Sequence, residues 1–287
     1  MKENHTNQFL GEVQLINVSK SFLESNKTTV EVLKDCTMVI PKGKLTALMG
    51  PSGCGKTTLI NIIAGYEKPT SGEVFLDGQP IGGPGPDRLV VFQETALFPW
   101  MTVYQNVMFG CTVQGIPEVE AQEKAHKLLQ KVGLLDFKDK YPSQLSGGMQ
   151  RRAELARALI NDPKIMMLDE PFRGLDAMTR SIMQEFCSKL FEETQRTTLF
   201  VTHDIEEAVF LADQLVIMTY KPGKVKAVIE VDLPRPRHFE MIGTSRFNEL
   251  RQHALELLYE EATKAFADGM KSAFDLIEGF SRVGSCR

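Results

Sequence analysis

The stretch "GPSGCGKTTL", positions 50–59, places three glycines, a lysine and two threonines directly after the apolar run "LTALM". It fits G-x-x-x-x-G-K-[ST] between a buried-strand pattern and the helical pattern "TTLINIIAG". Gly50, Gly53 and Gly55 let the backbone bend and bring N–H groups close to phosphate oxygens, and the positive end of the following helix adds to the attraction. Lys56 reaches the β- and γ-phosphates, and Thr57 supplies a hydroxyl for Mg2+. Pro51, Ser52 and Thr58 belong to the same phosphate cradle, and Cys54 holds a variable position of it with no catalytic role. The expected ligand is a nucleoside triphosphate.

Acids follow in "IMMLDEP", positions 165–171, where Asp169 and Glu170 end an apolar strand pattern. Successive strand side chains point opposite ways, so the two carboxylates can take different tasks around one phosphate. Asp169 suits the Mg2+ shell, and Glu170 suits the general base that holds an attacking water. His203 in "LFVTHD" also follows an apolar strand and is expected at the same sheet edge, within reach of the γ-phosphate. A second glycine motif, "QLSGGMQRRAELARALINDP" at positions 144–163, sets Ser146, Gly147 and Gly148 before a helix with an apolar stripe of Leu155, Ala156, Leu159 and Ile160. A serine and free N–H groups at a helix start make a second anion site.

These residues need a scaffold that collects strand ends. "KLTALM", "KIMMLD", "TLFVT" and "QLVIM" are nearly continuous apolar runs, the pattern of parallel strands covered on both faces. Before them, "VQLINV" and "TMVI" read as short antiparallel strands separated by a polar loop, "LESNKTT". Residues 95–161 show helical periodicity, as at Ala125, Leu128, Leu129 and Val132, with no strong strand among them. Beyond Leu233, "PRPR" interrupts regular structure, and Phe247, Leu250, Ala254, Leu257, Leu258 and Ala265 then recur at helical spacing. The expected fold is α/β, a P-loop nucleotide-hydrolase core of the RecA-like kind. Residues 1–94 and 162–233 form the core with an antiparallel β subdomain, 95–161 a helical subdomain, and 234–287 a helical tail that packs on the rest or serves a partner, with the polar end "SRVGSCR" disordered.

A chain of 287 residues with 43% hydrophobic content can bury a substantial core. The net charge of −4 gives no basic field for nucleic acid, so none is expected as a partner. "MKENHTNQFL" lacks the apolar centre of a signal peptide, and no segment has the roughly 18 apolar residues of a membrane span. Five scattered cysteines, Cys36, Cys54, Cys111, Cys187 and Cys286, lack metal-type spacing and read as reduced thiols.

Taken in order, "GPSGCGKTT", "VVFQE", "LSGGMQ", "IMMLDEP", "GLD" and "TH" resemble the ATP-binding subunit of an ATP-binding cassette (ABC) transporter over about residues 13–234. The resemblance implies ATP sandwiched between the phosphate loop of one copy and the LSGG helix of another, hence a head-to-tail pair with two sites. It implies that Gln93 approaches Mg2+ and senses the γ-phosphate, that Ser146, Gly147 and Gly148 bind the opposite copy's ATP, and that Asp176 sits at the seam. Phe22 is implied as the ring that stacks on adenine, although an aromatic ending a strand also reads as core. Arg151, where glutamine is frequent, and Arg173 with Gly174, where small residues are usual, depart from the pattern.

"ALFPWMTVYQNV", and "LPRPR" followed by "FNELRQHALELLYEE", resemble the nitrate, sulfonate and taurine importer group. That implies transmembrane permease subunits, a substrate-binding protein, and a place on the cytoplasmic face of the inner membrane. Phe98, Pro99 and Trp100 either contact a membrane partner or pack against the helical insertion. A soluble cassette acting on nucleic acid or ribosomes would keep the ATP motifs but usually adds a long coiled coil or a second cassette, and neither is visible. A small-molecule kinase would leave the LSGG helix and His203 unexplained, and an inactive cassette would not keep Lys56, Asp169, Glu170 and His203 together.

Overall fold

The apolar runs expected to be covered on both faces form the inside of a six-stranded sheet. In the computed structural model, which describes residues 11–23 and 27–283 and the side chains among them as far as 269, β3 (Leu45–Met49), β6 (Arg88–Val91), β7 (Ile165–Asp169), β8 (Thr197–Val201), β9 (Gln214–Met218) and β10 (Val225–Glu230) lie in the order β10-β9-β3-β8-β7-β6. Neighbours are parallel except β10 against β9. Ala47, Met166, Phe200 and Ile217 face one core while Leu48, Met167, Val201 and Val216 face the other. Two buried faces make such strands read as unbroken apolar runs rather than alternating ones.

A second sheet, β2-β1-β4-β5, is antiparallel and consists of β1 (Val13–Leu23), β2 (Thr29–Ile40), β4 (Ser71–Leu76) and β5 (Gln79–Pro80). Its first two strands are longer than the short patches expected, because Leu23 and Thr29 of the supposed loop pair with each other in the ladder. Register shifts after Leu15 and Val18, with Asn17 at φ 49°, break the period-two pattern and hide the strands' continuity. Leu59, Ile60 and Ile63 of α1 (Lys56–Ala64) fill the core between the two sheets.

Helices α2 (Val103–Val113), α3 (Glu118–Lys131) and α4 (Gly147–Leu159) gather Val107, Cys111, Ala125, Leu129, Ala153 and Ala156 into a third core. Thr102 starts α2 through a capping box with Gln105. Helix α4 also gives Leu155, Ala158 and Leu159 to the core under the main sheet, so it belongs to both bodies.

The remaining helices are α5 (Ala177–Thr194), α6 (Ile205–Leu211) and α7 (Ser245–Val283). Phe247, Leu250 and Ala254 of α7 are buried in the core beside α6, with Leu257 and Leu258 at its edge, so the start of the tail covers the cassette. Helix α7 continues through Val283, while residues 284–287 with Cys286, like residues 1–10 and 24–26, lie outside the described residues. The "PRPR" segment is more than an interruption. Arg237 is 1% exposed and donates to the carbonyls of Val209, Phe210 and Ala212 at the end of α6, at 3.0, 3.3 and 3.1 Å. Those carbonyls have no partners within the helix, and a buried cation supplies them. Burial and the neighbouring Arg235 bring the Arg237 guanidinium down to about 10. Arg235 joins Asp213 and Glu192, each at 3.0 Å.

Arg237→Met retains much of the side-chain volume but strands those carbonyls in a dry place. Chemical denaturation should find the variant less stable by about 2–4 kcal/mol. A change below about 0.5 kcal/mol would mean that water or another donor reaches the helix end.

Candidate nucleotide site

Parallel strands bring the loops that follow their carboxyl ends to one rim. Leu48 and Asp169 both lie opposite Val201, and Leu168 lies opposite Val91, so the ends of β3, β8, β7 and β6 are level. An open cleft of about 350 Å³ sits on this rim, lined by Ser52, Gly53, Gly55, Lys56, Thr57 and Thr58 from the loop after β3. The other strand ends add Gln93, Asp169, Glu170 and His203.

The loop's shape follows from glycine. Gly55 has φ 95°, and a Cβ there would come within 2.6 Å of Leu33 Cδ2, so both conformation and space exclude a side chain. Helix α1 then starts without a side-chain cap, which leaves its first N–H groups to an anion. Lys56 is buried, and its ammonium donates to the carbonyls of Gly50 at 2.9 Å and Pro51 at 3.1 Å. The Cys54 side chain lies in the core below the loop, and burial pushes its thiol up, as it pushes Cys36 up to about 11. Cys54 is therefore a packing residue of the loop.

The acidic half is equally ordered. Thr57 Oγ1 donates to Asp169 Oδ2 at 3.1 Å, which puts a hydroxyl and a carboxylate oxygen side by side, the hard donors a magnesium ion takes. Burial raises the Asp169 carboxyl above its usual range despite that hydrogen bond. Glu170 adopts the left-handed conformation, φ 47°, and both of its oxygens are engaged. Oε1 receives His203 Nε2–H at 3.0 Å and Oε2 receives Arg173 Nη1 at 3.0 Å. Burial, then the charge of Lys56, lowers the His203 imidazole, so it stays neutral at neutral pH and donates from Nε2 in this tautomer.

Four sequence-derived groups stand apart from the cleft. Ser146 caps α4 by accepting the Met149 N–H at 3.3 Å, and both Ser146 and Gly147 are exposed, while Gly148 is buried against Thr179 of α5. Asp176 is exposed and caps α5, and its bond from Thr179 N–H at 3.0 Å holds the carboxyl below its usual range. Phe22 lies on β1 opposite Val30, 39% exposed, with Lys20 Nζ 4.8 Å above its ring. Trp100 is 69% exposed and stacks on Phe98 at 5.5 Å, which in turn meets Phe109 of α2 edge-on at 4.8 Å.

Other residues, at the cleft or behind it, were given no function in the sequence reading. Val32 of β2 lines the cleft. Arg151 donates to the carbonyls of Phe92 and Gln93, each at 2.8 Å, and Arg173 reaches Glu170. For Arg151 the signals available were its departure from the family pattern and its spacing of three from Glu154 on an apolar helix. Gly223 gave no signal at all. It donates to Val32 O at 2.8 Å, accepts from Lys34 N at 3.0 Å, and approaches the loop so closely that a Cβ would lie 1.9 Å from Cys54 O.

Gly223→Ala must therefore push the phosphate loop or the β2 edge aside. Titration with a fluorescent ATP analogue should show affinity reduced about tenfold or more in a chain that still folds. Unchanged affinity would show that the loop tolerates the displacement.

The family profile described as ABC transporter matches residues 33–173. An uncharacterized ABC transporter ATP-binding protein of Methanocaldococcus jannaschii is 46% identical over 254 residues, 88% of this chain and 94% of that one. The taurine import ATP-binding protein TauB of Roseobacter denitrificans is 47% identical over 238 residues, 83% of this chain and 87% of that one. The bicarbonate transport ATP-binding protein CmpC of Synechococcus elongatus is 43% identical over 253 residues, 87% of this chain but only 38% of that longer protein. Among solved structures, a dimeric ATP-binding cassette in a post-hydrolysis state, bound to ADP and Pi, superposes with a TM-score of 0.67 at 32% identity, covering 77% of this chain and all of that one. With its α/β fold and the cleft at its strand ends, the chain belongs to the ABC transporter family, as one of its ATP-binding, ATP-hydrolysing subunits.

Proposed function

We propose that the chain powers import of a small solute, working as a head-to-tail pair of copies beneath separate transmembrane permease subunits. The observation that carries this reading is a division within the chain. One end holds phosphate-loop, base and histidine in a single cleft, and the other presents Ser146 and Gly147 to solvent, away from that cleft. A second copy completes both. The dimeric cassette among the structural relatives supports the pairing, and relatives named for taurine import and bicarbonate transport support import over the soluble-cassette alternative.

In this reading the chain divides into a core of residues 1–94 and 162–233, a helical subdomain of 95–161 and a tail of 234–287; the helical subdomain has a cluster of its own, while α4 and the start of the tail also pack into the cluster of the core. Lys56 and the N–H groups of residues 50–58 bind the phosphates of ATP. Thr57 and Asp169 would hold Mg2+, with Gln93 beside them; the ion would neutralise phosphate charge. Glu170 orients and deprotonates water, and neutral His203 holds the Glu170 carboxylate before moving to the terminal phosphate. Ser146, Gly147 and Gly148 face the other copy's ATP, Asp176 stands at the seam, and Phe22 offers a ring to adenine. Closure of the pair moves the permease, and hydrolysis reopens it.

Among the described residues no helix is long and apolar enough to cross a membrane, in keeping with a subunit held at the inner face by its permease. The solute is of the nitrate, sulfonate or taurine kind, delivered by a substrate-binding protein. Nucleic acid is not a partner in this scheme.

Glu170→Gln should reduce hydrolysis by at least about 10²-fold while leaving a stable ATP-bound pair. Turnover near that of the unmodified chain would remove Glu170 from the role of base. Lys56→Ala should lose ATP binding itself, measured by calorimetry, and undiminished affinity would remove the lysine from the phosphate site.

A further inference from the structure

Helix α4 carries an ion pair inside an otherwise apolar setting. Arg151 and Glu154 are 6% and 3% exposed and meet at 2.8 Å. Both also bind the loop after β6. Arg151 donates from Nη1 to Phe92 O and from Nη2 to Gln93 O, each at 2.8 Å, and Glu154 Oε1 accepts the Ala96 N–H at 2.6 Å. One turn on, Arg157 donates to Ala96 O at 2.8 Å and lies 5.1 Å from the Phe98 ring. The Gln93 loop is thus fastened at several points to the helix that begins at Gly147 and is capped by Ser146.

A buried pair adds little net stability, because both charges give up water. Its effect here is geometric. A planar guanidinium that bridges two carbonyls and a carboxylate fixes direction as well as distance, which a rotating ammonium or a neutral amide would not do for all three. The same helix spans two cores, so a force on its middle is carried along a rigid element to its first turn.

We propose that Arg151 with Glu154 is a positioning device that makes the Gln93 loop and the Ser146 end of α4 one body, so that a nucleotide held at Gln93 re-aims the face offered to a second copy. This rests on the roles given above to Gln93 and Ser146. Neither Arg151 nor Glu154 touches the cleft, and both act through the loop they hold.

The test uses the full chain carrying Glu170→Gln as parent, so that bound ATP persists. A fluorescent ATP analogue reads occupancy, and light scattering reads the ATP concentration at which pairs form. Arg151→Met combined with Glu154→Leu removes both charges at once and leaves no unpaired buried carboxylate. The expected result is unchanged occupancy with ATP-driven pairing weakened at least about fivefold, the lower end of coupling between two sites. Pairing undiminished in a folded double variant would overturn the proposal and leave the assigned function standing. A parent that binds ATP but never pairs would overturn that function, and the proposal with it.

Hydrogen exchange on the unmodified chain tests the same link without a substitution. At concentrations too low for pairing, ATP should change exchange at Ala96 and at Gly148 and Met149 together. A change confined to the Gln93 loop would overturn the coupling.

Discussion

The nucleotide end of this molecule depends on a buried ammonium that has no carboxylate partner within its own loop. Lys56 is 7% exposed, and its hydrogen bonds go to the carbonyls of Gly50 and Pro51 and to the Cys54 sulfur. Neutral acceptors hold a cation in place without cancelling its charge, and that uncancelled charge attracts an anion. The rest of the rim follows. The positive start of α1 adds to the field, glycine at position 55 lets the backbone close around a phosphate, and Lys56 itself helps to keep His203 neutral.

Around that charge the fold separates two kinds of chemistry. The parallel strands β3, β6, β7 and β8 deliver Lys56, Thr57, Gln93, Asp169, Glu170 and His203 to one edge, all within a single chain. The helical layer places Ser146 and Gly147 elsewhere, on a surface that no residue of the same chain's cleft uses. The two parts are nonetheless in mechanical contact, since α4 packs in both cores and its charged residues hold the loop that bears Gln93. In the proposed pair, a site divided between copies would give pairing a direct dependence on nucleotide, which is what a pump needs from its motor.

Much of this was legible in the residues because each fixed position does a local job. The glycines of the phosphate loop answer to backbone geometry, and Asp169, Glu170 and His203 announce themselves by following apolar strands. What was not legible came from contacts distant in sequence or from interrupted periodicity. The bulges near Asn17 cut two long strands into apparent fragments. The approach of Gly223 to Cys54 leaves no trace in local pattern, and Arg237 in "PRPR" reads as a loop residue until the carbonyls it caps are in view. Arg151 looked like a departure from a family pattern, and its partner Glu154 explains how the charge is accommodated.

The most direct test of a site shared between copies is the rate of ATP hydrolysis per chain as the isolated protein is diluted, with sedimentation in ATP followed in parallel. Specific activity should fall steeply once the pair dissociates and recover as concentration is restored. Constant activity per chain in a species that sediments as a monomer would contradict the shared site, since a single copy would then complete the chemistry alone.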